Sequence, residues 1–441
     1  MTLSKEQTIA MEEFANGDNI LITGPGGTGK SYLIKLIKEN SESRGKNIQV
    51  CAMTGCAAVL LQCKAKTVHS WGGIGIGSGD PKDIIKRVIK NKHKKKAWKS
   101  VDVLVIDEVS MMSKKMFEII DVIARTVRGK KDLPFGGIQV VLSGDFYQLP
   151  PIGDQYDEDS SAFCFESELW NECIPKTVQL TTIYRQSDTV YKKILNQIRI
   201  GKVTPSTIEH LSNRVNVDIT QDIVPTILYP TRKQSDDLNN KEYKKLTSAE
   251  EFVFEARIND NIVNLKEEQK TVRRTCGFEY VESEASNLTN SVFADKTLKL
   301  KVGTRVMCTA NIDQESDLPI VNGSQGIIIS FSENTAIPLV KFQNGSVRQI
   351  GHHSWSSEHV PGLSVEQIPL IYSWALTIHK SQGVTLDAAQ IDAGSRIFEC
   401  GQTYVALSRV KDLSGLYLTA FNYRYIKVNK KAKEFYERLI V

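Results

Sequence analysis

The segment GPGGTGKS, residues 24–31, restricts the fold of this chain more than any other feature. The apolar run at 20–22 precedes it, and a second run at 32–34 follows it. A strand, a glycine-rich turn and a helix in this order are the context in which GxxxxGK[ST] forms a phosphate-binding loop. Backbone N–H groups and the positive end of the helix dipole then face the phosphates. The segment therefore predicts ATP binding.

The side chains of the loop are expected to contact different parts of a bound Mg²⁺–triphosphate. Lys30 is expected to contact the β- and γ-phosphates, and the Ser31 hydroxyl is expected to bind Mg²⁺. The glycines permit the tight backbone turn. The residues predicted to bind ATP through this loop are Gly26, Gly27, Thr28, Gly29, Lys30 and Ser31.

A second apolar segment, residues 103–106, ends in Asp107 and Glu108. A continuous apolar run is typical of a parallel strand buried on both faces. Asp107 would hold Mg²⁺ directly or through water, and Glu108 would orient and polarise the attacking water. Adjacent Asp and Glu favour hydrolysis over phosphate transfer to a substrate hydroxyl.

A third strand is predicted at 138–145, and the sequence FYQLPP follows it. A glutamine just beyond a sheet strand, between aromatic residues and prolines, can sense the γ-phosphate. Gln148 is therefore the predicted sensor residue.

Length and apolar patterning exclude a membrane protein. The chain has 441 residues, and none of its apolar runs reaches the ~18 residues that a membrane span needs. The first six residues, MTLSKE, lack the apolar core of a signal peptide. We therefore expect an intracellular protein, in the nucleus or the cytoplasm, that is not secreted.

The net charge of +5 is mild, but residues 82–99 carry many lysines and a single acid. Ile84, Ile85, Val88 and Ile89 recur at helical spacing, which predicts an amphipathic basic helix. This helix is either a solvated face or a contact for nucleic acid, with a nuclear address as a minor alternative.

Several further motifs, in this order along the chain, resemble those of helicases of superfamily 1B, in particular the PIF-type branch related to bacterial RecD helicases. The motifs are LSKEQ (3–7), GPGGTGKS, TGCAA (54–58), TVHSWGGIGIG (67–77), VIDEVSMM (105–112), GDFYQLPP (144–151), YRQ (184–186), HKSQG (379–383) and YVALSRV (404–410). Residues 117–139 also resemble the segment that distinguishes the PIF-type branch. Because the motifs span residues 3 to 410, we expect a motor core with almost no terminal extension.

This resemblance implies an ATP-driven motor that moves 5′ to 3′ on single-stranded DNA and separates duplexes in replication, repair, recombination or telomere maintenance. The implied partners are single-stranded DNA and forked or tailed duplexes, acted on by a monomer with Mg²⁺ as cofactor. Arg185 and Arg409 would reach the γ-phosphate as arginine fingers, and Gln7 would read the adenine edge. The predicted DNA contacts are Thr54, His69, Thr231, Asn322, His379 and Lys380.

Alternating strand and helix patterns predict an α/β fold with doubly wound parallel sheets. In the family's terms, residues 1–180 form a first RecA-like domain with a wedge insertion at about 72–98. Residues 181–245 and 365–441 form a second RecA-like domain. Residues 246–364 are an insertion in which short strands and turns at Asn322–Gly323 and Asn344–Gly345 predict a small, SH3-like β-barrel.

Two other functions fit parts of the sequence. An RNA-directed motor of superfamily 1 would share the nucleotide motifs, and stimulation of the ATPase by poly-dT or by poly-U would distinguish the two. A nucleic-acid-binding scaffold with a weak ATPase would instead show little basal hydrolysis.

Overall fold

The fold is taken from a computed structural model. It describes residues 3–61, 63, 65–75, 77, 79–153, 157–219, 225–247, 250–263, 265, 267–291, 295–313, 318, 320, 322–357 and 360–439. The chain divides into two compact units, one formed by Met1–Asp218 with Ile391–Val441 and the other by Ile219–Gln390. The predicted domain boundaries at 180, 245 and 364 stay a prediction. Among the described residues, helices that combine the length and the apolar character needed to cross a membrane are absent.

The first unit is built on a six-stranded parallel sheet. Its strands are β1 (Ile20–Thr23), β2 (Ile48–Ala52), β3 (Lys66–Thr67), β4 (Val103–Asp107), β5 (Gln139–Gly144) and β6 (Lys176–Gln179). They lie in the order β3-β2-β4-β5-β1-β6, and every neighbouring pair is parallel. The carboxyl ends of β1, β4 and β5 therefore meet at one edge of the sheet, where ligands of open α/β sheets bind.

Helices connect these strands and cover the sheet. They are α1 (Lys5–Ala15), α2 (Lys30–Ser43), α3 (Gly55–Leu61), α4 (Val68–Gly72), α5 (Pro81–Lys90), α6 (Lys92–Ser100), α7 (Lys114–Arg128), α8 (Glu158–Ser161), α9 (Trp170–Cys173), α10 (Thr189–Ile200) and α11 (Pro205–Ser212).

Strand β4 shows why the sheet is covered on both faces. Val103 and Val105 belong to the apolar cluster that includes Phe14, Leu33 and other residues of α1 and α2. The alternate residues Leu104 and Ile106 belong to a different cluster, which includes Phe117, Ile120 and other residues of α7. Because side chains alternate along a strand, an uninterrupted apolar run fills two cores. The predicted doubly wound α/β class is confirmed.

The basic stretch forms two helices rather than one. Asn91 ends α5, and its side-chain Oδ1 accepts hydrogen bonds from the N–H groups of His93 and Lys94, which starts α6. Ile84 and Val88 of α5 are buried. The predicted amphipathic face is correct for α5, but an asparagine cap divides the segment.

The second unit contains β7 (Thr226–Tyr229), α12 (Arg232–Lys244), β8 (Phe252–Glu255), β9 (Arg257–Asp260), α13 (Glu267–Arg274), α14 (Phe278–Ser291), β10 (Thr297–Leu300), β11 (Arg305–Cys308), β12 (Gln325–Phe331), β13 (Pro338–Phe342), β14 (Val347–Gln349), β15 (His353–Ser356), β16 (Leu363–Gln367), β17 (Leu370–Tyr372) and β18 (Ala375–Thr377). The chain then continues through β19 (Ala389–Ala393), α15 (Gln402–Leu407), β20 (Leu416–Phe421) and α16 (Lys430–Arg438).

Antiparallel strands build the inserted part of the second unit. A five-stranded sheet has the order β14-β13-β12-β11-β17, and β8 pairs with β10. Both enclose one apolar core, which includes Phe254, Leu298, Val306, Ile328, Val340 and Phe342. The structure also contains a separate three-stranded sheet, β15-β16-β9, which the sequence analysis did not predict. The predicted turn at Asn344–Gly345 closes the hairpin between β13 and β14, and Gly345 has the positive φ, 87°, that it requires. Gly323 also has a positive φ, 95°, but residues 309–324 separate β11 from β12, so the predicted hairpin turn at Asn322–Gly323 is wrong.

The return from the insertion differs in one detail from the sequence interpretation. The predicted second RecA-like segment, residues 365–441, does not join the parallel sheet with its first strand after the insertion, because β17 pairs antiparallel with β11. The parallel pairing with β7 is made instead by β18, in the register Ala375↔Ile227.

Candidate nucleotide-hydrolysis site

The phosphate-binding loop connects β1 to α2, and its glycines are required by close backbone contacts. Gly24, Gly27 and Gly29 have φ of 143°, 82° and 86°. A Cβ on Gly24 would lie 2.3 Å from the carbonyl oxygen of Leu180, and one on Gly27 would lie 2.5 Å from Arg185 Cβ. Only glycine fits these positions, because both the backbone conformation and the available space exclude a side chain.

Lys30 points its ammonium group into the loop. Its Nζ donates hydrogen bonds to the carbonyl oxygens of Gly24 at 2.6 Å and of Pro25 at 2.9 Å. Desolvation lowers the pKa of Lys30, and the charges of Asp145, Glu108 and Asp107 oppose that shift. The two carbonyl oxygens hold the Lys30 amine at the loop, the position from which it could reach a phosphate. Ser31 follows as the second residue of α2 and is exposed.

Asp107 and Glu108 occupy the end of β4, as predicted. The Asp107 carboxylate is buried, and its Oδ1 accepts a hydrogen bond from Ser143 Oγ at 2.7 Å. Burial raises the pKa of Asp107. Glu108 adopts the left-handed conformation, with φ 57° and ψ 41°. Such backbone strain in a residue other than glycine persists where the surrounding structure enforces it, often at functional sites.

Asp145 organises the turn that carries Gln148. The Asp145 carbonyl accepts from Gln148 N–H at 2.8 Å, and its Oδ1 accepts from Tyr147 N–H at 3.2 Å. Gln148 is 5% exposed. A Cβ on Gly401 would lie 2.5 Å from the Gln148 carbonyl oxygen, so the start of α15 packs directly on this turn.

Both predicted arginine fingers lie at the loop, within the same compact unit. A Cβ on Gly26 would lie 3.6 Å from Arg185 Nη1 and 3.6 Å from Arg409 Nη2. Arg409 is 2% exposed and donates to the Val405 carbonyl and to Ser408 Oγ. Burial and the charge of Arg185 lower the pKa of Arg409 below its usual range. Two guanidinium groups brought together in this way favour an anion as their ligand.

Tyr404 is a site residue that the sequence interpretation missed. Its hydroxyl accepts a hydrogen bond from the N–H of Gly26 at 2.8 Å, and its side chain is buried. The signal was present, because Tyr404 opens the YVALSRV motif that also contains Arg409. A tyrosine in an apolar helix is nevertheless more often a core residue, and 378 positions separate it from Gly26.

Gln7 packs against the loop, but its amide has structural partners. Its Oε1 accepts from Ser4 N–H in a capping box at the start of α1, and its Nε2 donates to the Thr28 carbonyl at 3.3 Å. The predicted contact with adenine stays a prediction.

Thr54 and His69, the predicted DNA contacts of the first unit, lie at one edge of the parallel sheet. Each comes two residues after the end of a strand, and the two strands, β2 and β3, are parallel neighbours. Thr54 Oγ1 accepts from Ala57 N–H at the start of α3. Burial lowers the pKa of His69, which favours the neutral ring, and a flat imidazole is suited to stacking on a base.

Thr231 and His379 repeat this arrangement in the second unit. They follow β7 and β18 by two residues, and these strands are also parallel neighbours. Thr231 is exposed, and Lys380 is half-buried beside His379. Asn322 lies in the turn before β12, where its Nδ2 donates to the Thr309 carbonyl at 3.0 Å. A Cβ on the adjacent Gly323 would lie 3.0 Å from Val384 Cγ1, so this turn packs beside the segment that follows His379 and Lys380.

The chain is similar to known proteins over nearly its whole length. A family model described as PIF1-like helicase matches residues 2–207, and a model of the DNA helicase Pif1 2B domain matches residues 285–331. ATP-dependent DNA helicase PIF1 of Danio rerio is 35% identical over 99% of this chain. The match spans 64% of that relative's length.

Solved structures with the same fold are also found. The Pif1 helicase of Candida albicans is 34% identical, with a TM-score of 0.76 and 100% of both chains covered. Pif1 helicase from Bacteroides in complex with ADP-AlF3 and single-stranded DNA is 28% identical, with a TM-score of 0.67, and covers 100% of this chain and 97% of its own. Together with the nucleotide site, these matches show that the chain belongs to the PIF1-like helicase family.

Proposed function

We propose that this protein is an ATP-dependent DNA helicase that moves 5′ to 3′ on single-stranded DNA and unwinds duplexes. The observation that carries the proposal is the placement of Arg185 and Arg409 beside Gly26 of the phosphate-binding loop. Among the described residues, neither guanidinium forms an ion pair with a carboxylate. A triphosphate in the loop supplies the missing negative charge.

The chemistry follows from the residues at this edge of the sheet. Lys30 binds the phosphates, Glu108 orients and polarises the attacking water, and Gln148 reports the presence of the γ-phosphate. Arg185 and Arg409 stabilise the charge that develops in the transition state. Gln7, Thr28 and the loop glycines complete the ATP site.

Ser31 and Asp107 fit a bound Mg²⁺. A hydroxyl and a carboxylate are the hard oxygen donors that this ion prefers. Asp107 is buried, and the neutral Ser143 hydroxyl is its hydrogen-bond partner, so its charge favours a cation. Mg²⁺ would neutralise the charge that develops on the phosphate oxygens.

DNA contacts come from both units. Thr54 and His69 form the first grip, and Thr231, His379 and Lys380 form the second, with Asn322 beside it. The relative from Bacteroides was solved with single-stranded DNA and a nucleotide analogue, which supports DNA as the nucleic acid. We infer that the partners are single-stranded DNA and forked or tailed duplexes, bound by a monomer. Its place is intracellular, in the nucleus or the cytoplasm, in replication, repair, recombination or telomere maintenance.

Titration of the ATPase with single-stranded DNA tests the proposal. Wild-type protein should hydrolyse ATP faster with poly-dT than with poly-U or without nucleic acid. Lys30→Ala should abolish hydrolysis and keep single-stranded DNA binding, because Lys30 lies inside the loop. Lys38→Ala, on the same helix α2, is the matched control and should behave as wild type. DNA-stimulated turnover that survives in Lys30→Ala would contradict the assigned ATP site.

A further inference from the structure

A buried ion pair lies directly behind the nucleotide site. Arg199 of α10 donates from Nε and Nη2 to the two carboxylate oxygens of Asp145, both at 2.8 Å. Asp145 is 0% exposed and Arg199 is 4% exposed. Replacing such a pair by apolar residues is often neutral or stabilising, because desolvation offsets the attraction. Stability alone is therefore a weak reason for a charged pair at this place.

Two aromatic rings hold the Arg199 side chain in position. Its guanidinium lies 4.6 Å from the ring centroid of Tyr147 and 5.1 Å from that of Tyr436. The two rings stack on each other, with centroids 4.7 Å apart and an interplanar angle of 10°. Cation–π contacts of this kind are strongest when the cation is desolvated, as it is here.

The Tyr436 hydroxyl connects this pair to two parts of the nucleotide site. It accepts from the Phe146 N–H at 3.1 Å, donates to Asp145 Oδ1 at 3.2 Å, and lies 2.5 Å from Thr23 Oγ1. Thr23 is the last residue of β1 and directly precedes Gly24, whose carbonyl accepts from Lys30. Asp145 opens the turn that carries Gln148. One hydroxyl on the C-terminal helix α16 thus contacts the base of the loop and the base of the sensor turn.

We propose that Arg199 and Tyr436 are positioning residues for ATP hydrolysis, which act through Asp145 and Thr23 to hold Gln148 in register with the phosphate-binding loop. This inference rests on the proposed ATPase function. It predicts that loss of the network lowers kcat while ground-state nucleotide binding stays intact, since the network touches the supports of the site rather than its phosphate-binding atoms. A misplacement of about 1 Å can cost up to about 100-fold in rate.

Tyr436→Phe is the first variant, because it keeps the stacked ring and removes only the hydroxyl. We expect the DNA-stimulated kcat to fall about tenfold while the KM for ATP changes by less than about twofold, the pattern of a lost transition-state interaction. Arg199→Lys keeps the charge but not the two parallel hydrogen bonds, and it should lower kcat in the same way.

Phe435→Leu is the matched control on the same helix. Phe435 packs on Phe146 and Phe165 and is outside the hydrogen-bond network. The Phe435→Leu variant should lower the melting temperature at least as much as Tyr436→Phe does. It should leave kcat within about twofold, because lost packing affects stability whereas lost positioning affects the rate of hydrolysis. A kcat that is unchanged in both Tyr436→Phe and Arg199→Lys, or that follows the melting temperature across all three variants, would overturn the proposal.

Binding of fluorescent ADP and of ADP with aluminium fluoride separates this proposal from the proposed function. In wild type the analogue should bind more tightly than ADP, and Tyr436→Phe should reduce that preference without weakening ADP. A wild-type protein without DNA-stimulated turnover would count against the helicase, and the ratio of the two affinities would still decide the role of the network. An unchanged ratio in Tyr436→Phe would overturn that role.

Discussion

Arg409 is the residue whose environment bears most directly on the proposed arginine-finger role. It is buried, and the charge of the neighbouring Arg185 destabilises its own charged form. In the proposed mechanism a developing negative charge relieves that repulsion, so we expect Arg409 to act mainly on the transition state rather than on bound ATP.

Arg409→Ala should therefore lower kcat by about 10³- to 10⁵-fold, the range measured for arginine fingers, with a much smaller change in nucleotide affinity. Steady-state hydrolysis and fluorescent-nucleotide binding measure the two quantities, and circular dichroism checks folding. Arg214→Ala, which removes an arginine stacked on Tyr417, is the control. Equal losses in turnover and in affinity would show that Arg409 binds the ground state instead.

Asp107 is a predicted functional residue whose charge lowers the stability of the folded protein. Because its pKa is raised in the folded state, its contribution to stability is full below the pKa of the unfolded chain and is lost as the pH rises. At neutral pH the buried carboxylate is therefore destabilising unless a cation is bound.

Asp107→Asn should abolish hydrolysis and raise the melting temperature at pH 7, by about 2–4 °C for each kcal/mol relieved in a domain of this size. The gain should shrink as the pH falls toward about 4, where aspartate protonates in the unfolded chain as well. Thermal unfolding without Mg²⁺ at a series of pH values measures this. A melting temperature that falls at pH 7 would contradict the argument.

Among the elements, the basic helices α5 and α6 are either a solvated face or a contact for nucleic acid, and the sequence alone does not decide between the two. Lys94 is already engaged, since its Nζ donates to the Ser70 carbonyl at 2.6 Å and its stem packs on Gly73. Lys92 and Lys96 are exposed and Lys95 is half-buried, so these three remain available to phosphate.

Changing Lys92, Lys95 and Lys96 together to Gln should flatten the salt dependence of single-stranded DNA binding. The log–log slope should change by about 0.7 for each lysine that contacts a phosphate. The same change at Lys430, Lys431 and Lys433 of α16 is the control for net charge. An unaltered slope in the first variant would identify α6 as a solvated face.

Across the whole molecule, direction of movement requires two grips that respond differently to nucleotide. Each compact unit places predicted DNA contacts two residues beyond neighbouring parallel strands, so both grips have the same construction. This similarity explains how each unit could bind DNA, but it does not show which set of contacts releases DNA first. The polarity therefore rests on membership of the PIF1-like family.

A duplex with only a 5′ single-stranded tail should be unwound with ATP and Mg²⁺, and a duplex with only a 3′ tail should not. A strand-separation assay with the two substrates at equal concentration measures this, with Lys30→Ala as the inactive reference. Efficient unwinding from the 3′ tail alone would refute the proposed polarity and leave the ATP site unaffected.

Local pattern was sufficient for the elements whose signal lies within a few residues. The loop at 24–31, the strand that ends at Asp107 and the hairpin turn at Gly345 follow from glycine conformation and from apolar periodicity. The candidates Thr54, His69, Thr231 and His379 came instead from the resemblance to the PIF-type branch, and the structure places each of them just after a strand. Local pattern failed at Asn91, where one side chain caps a new helix within a pattern that reads as continuous.

Contacts between distant segments could be decided only by the tertiary structure. Strands β17 and β18 are both short and apolar, so their sequences do not show which of them pairs with β7. The tertiary structure decides it, since β17 pairs with β11 and β18 pairs with β7. Tyr404 reaches Gly26 across 378 positions, and Tyr436 reaches Asp145 across 291. Hydrophobic periodicity predicts that these tyrosine side chains are buried, but the packing of distant segments determines which group their hydroxyls contact. The sequence by itself therefore determined where the glycine-rich loop forms and which residue types follow the neighbouring strands, and the fold alone decided which distant side chains hold them in place.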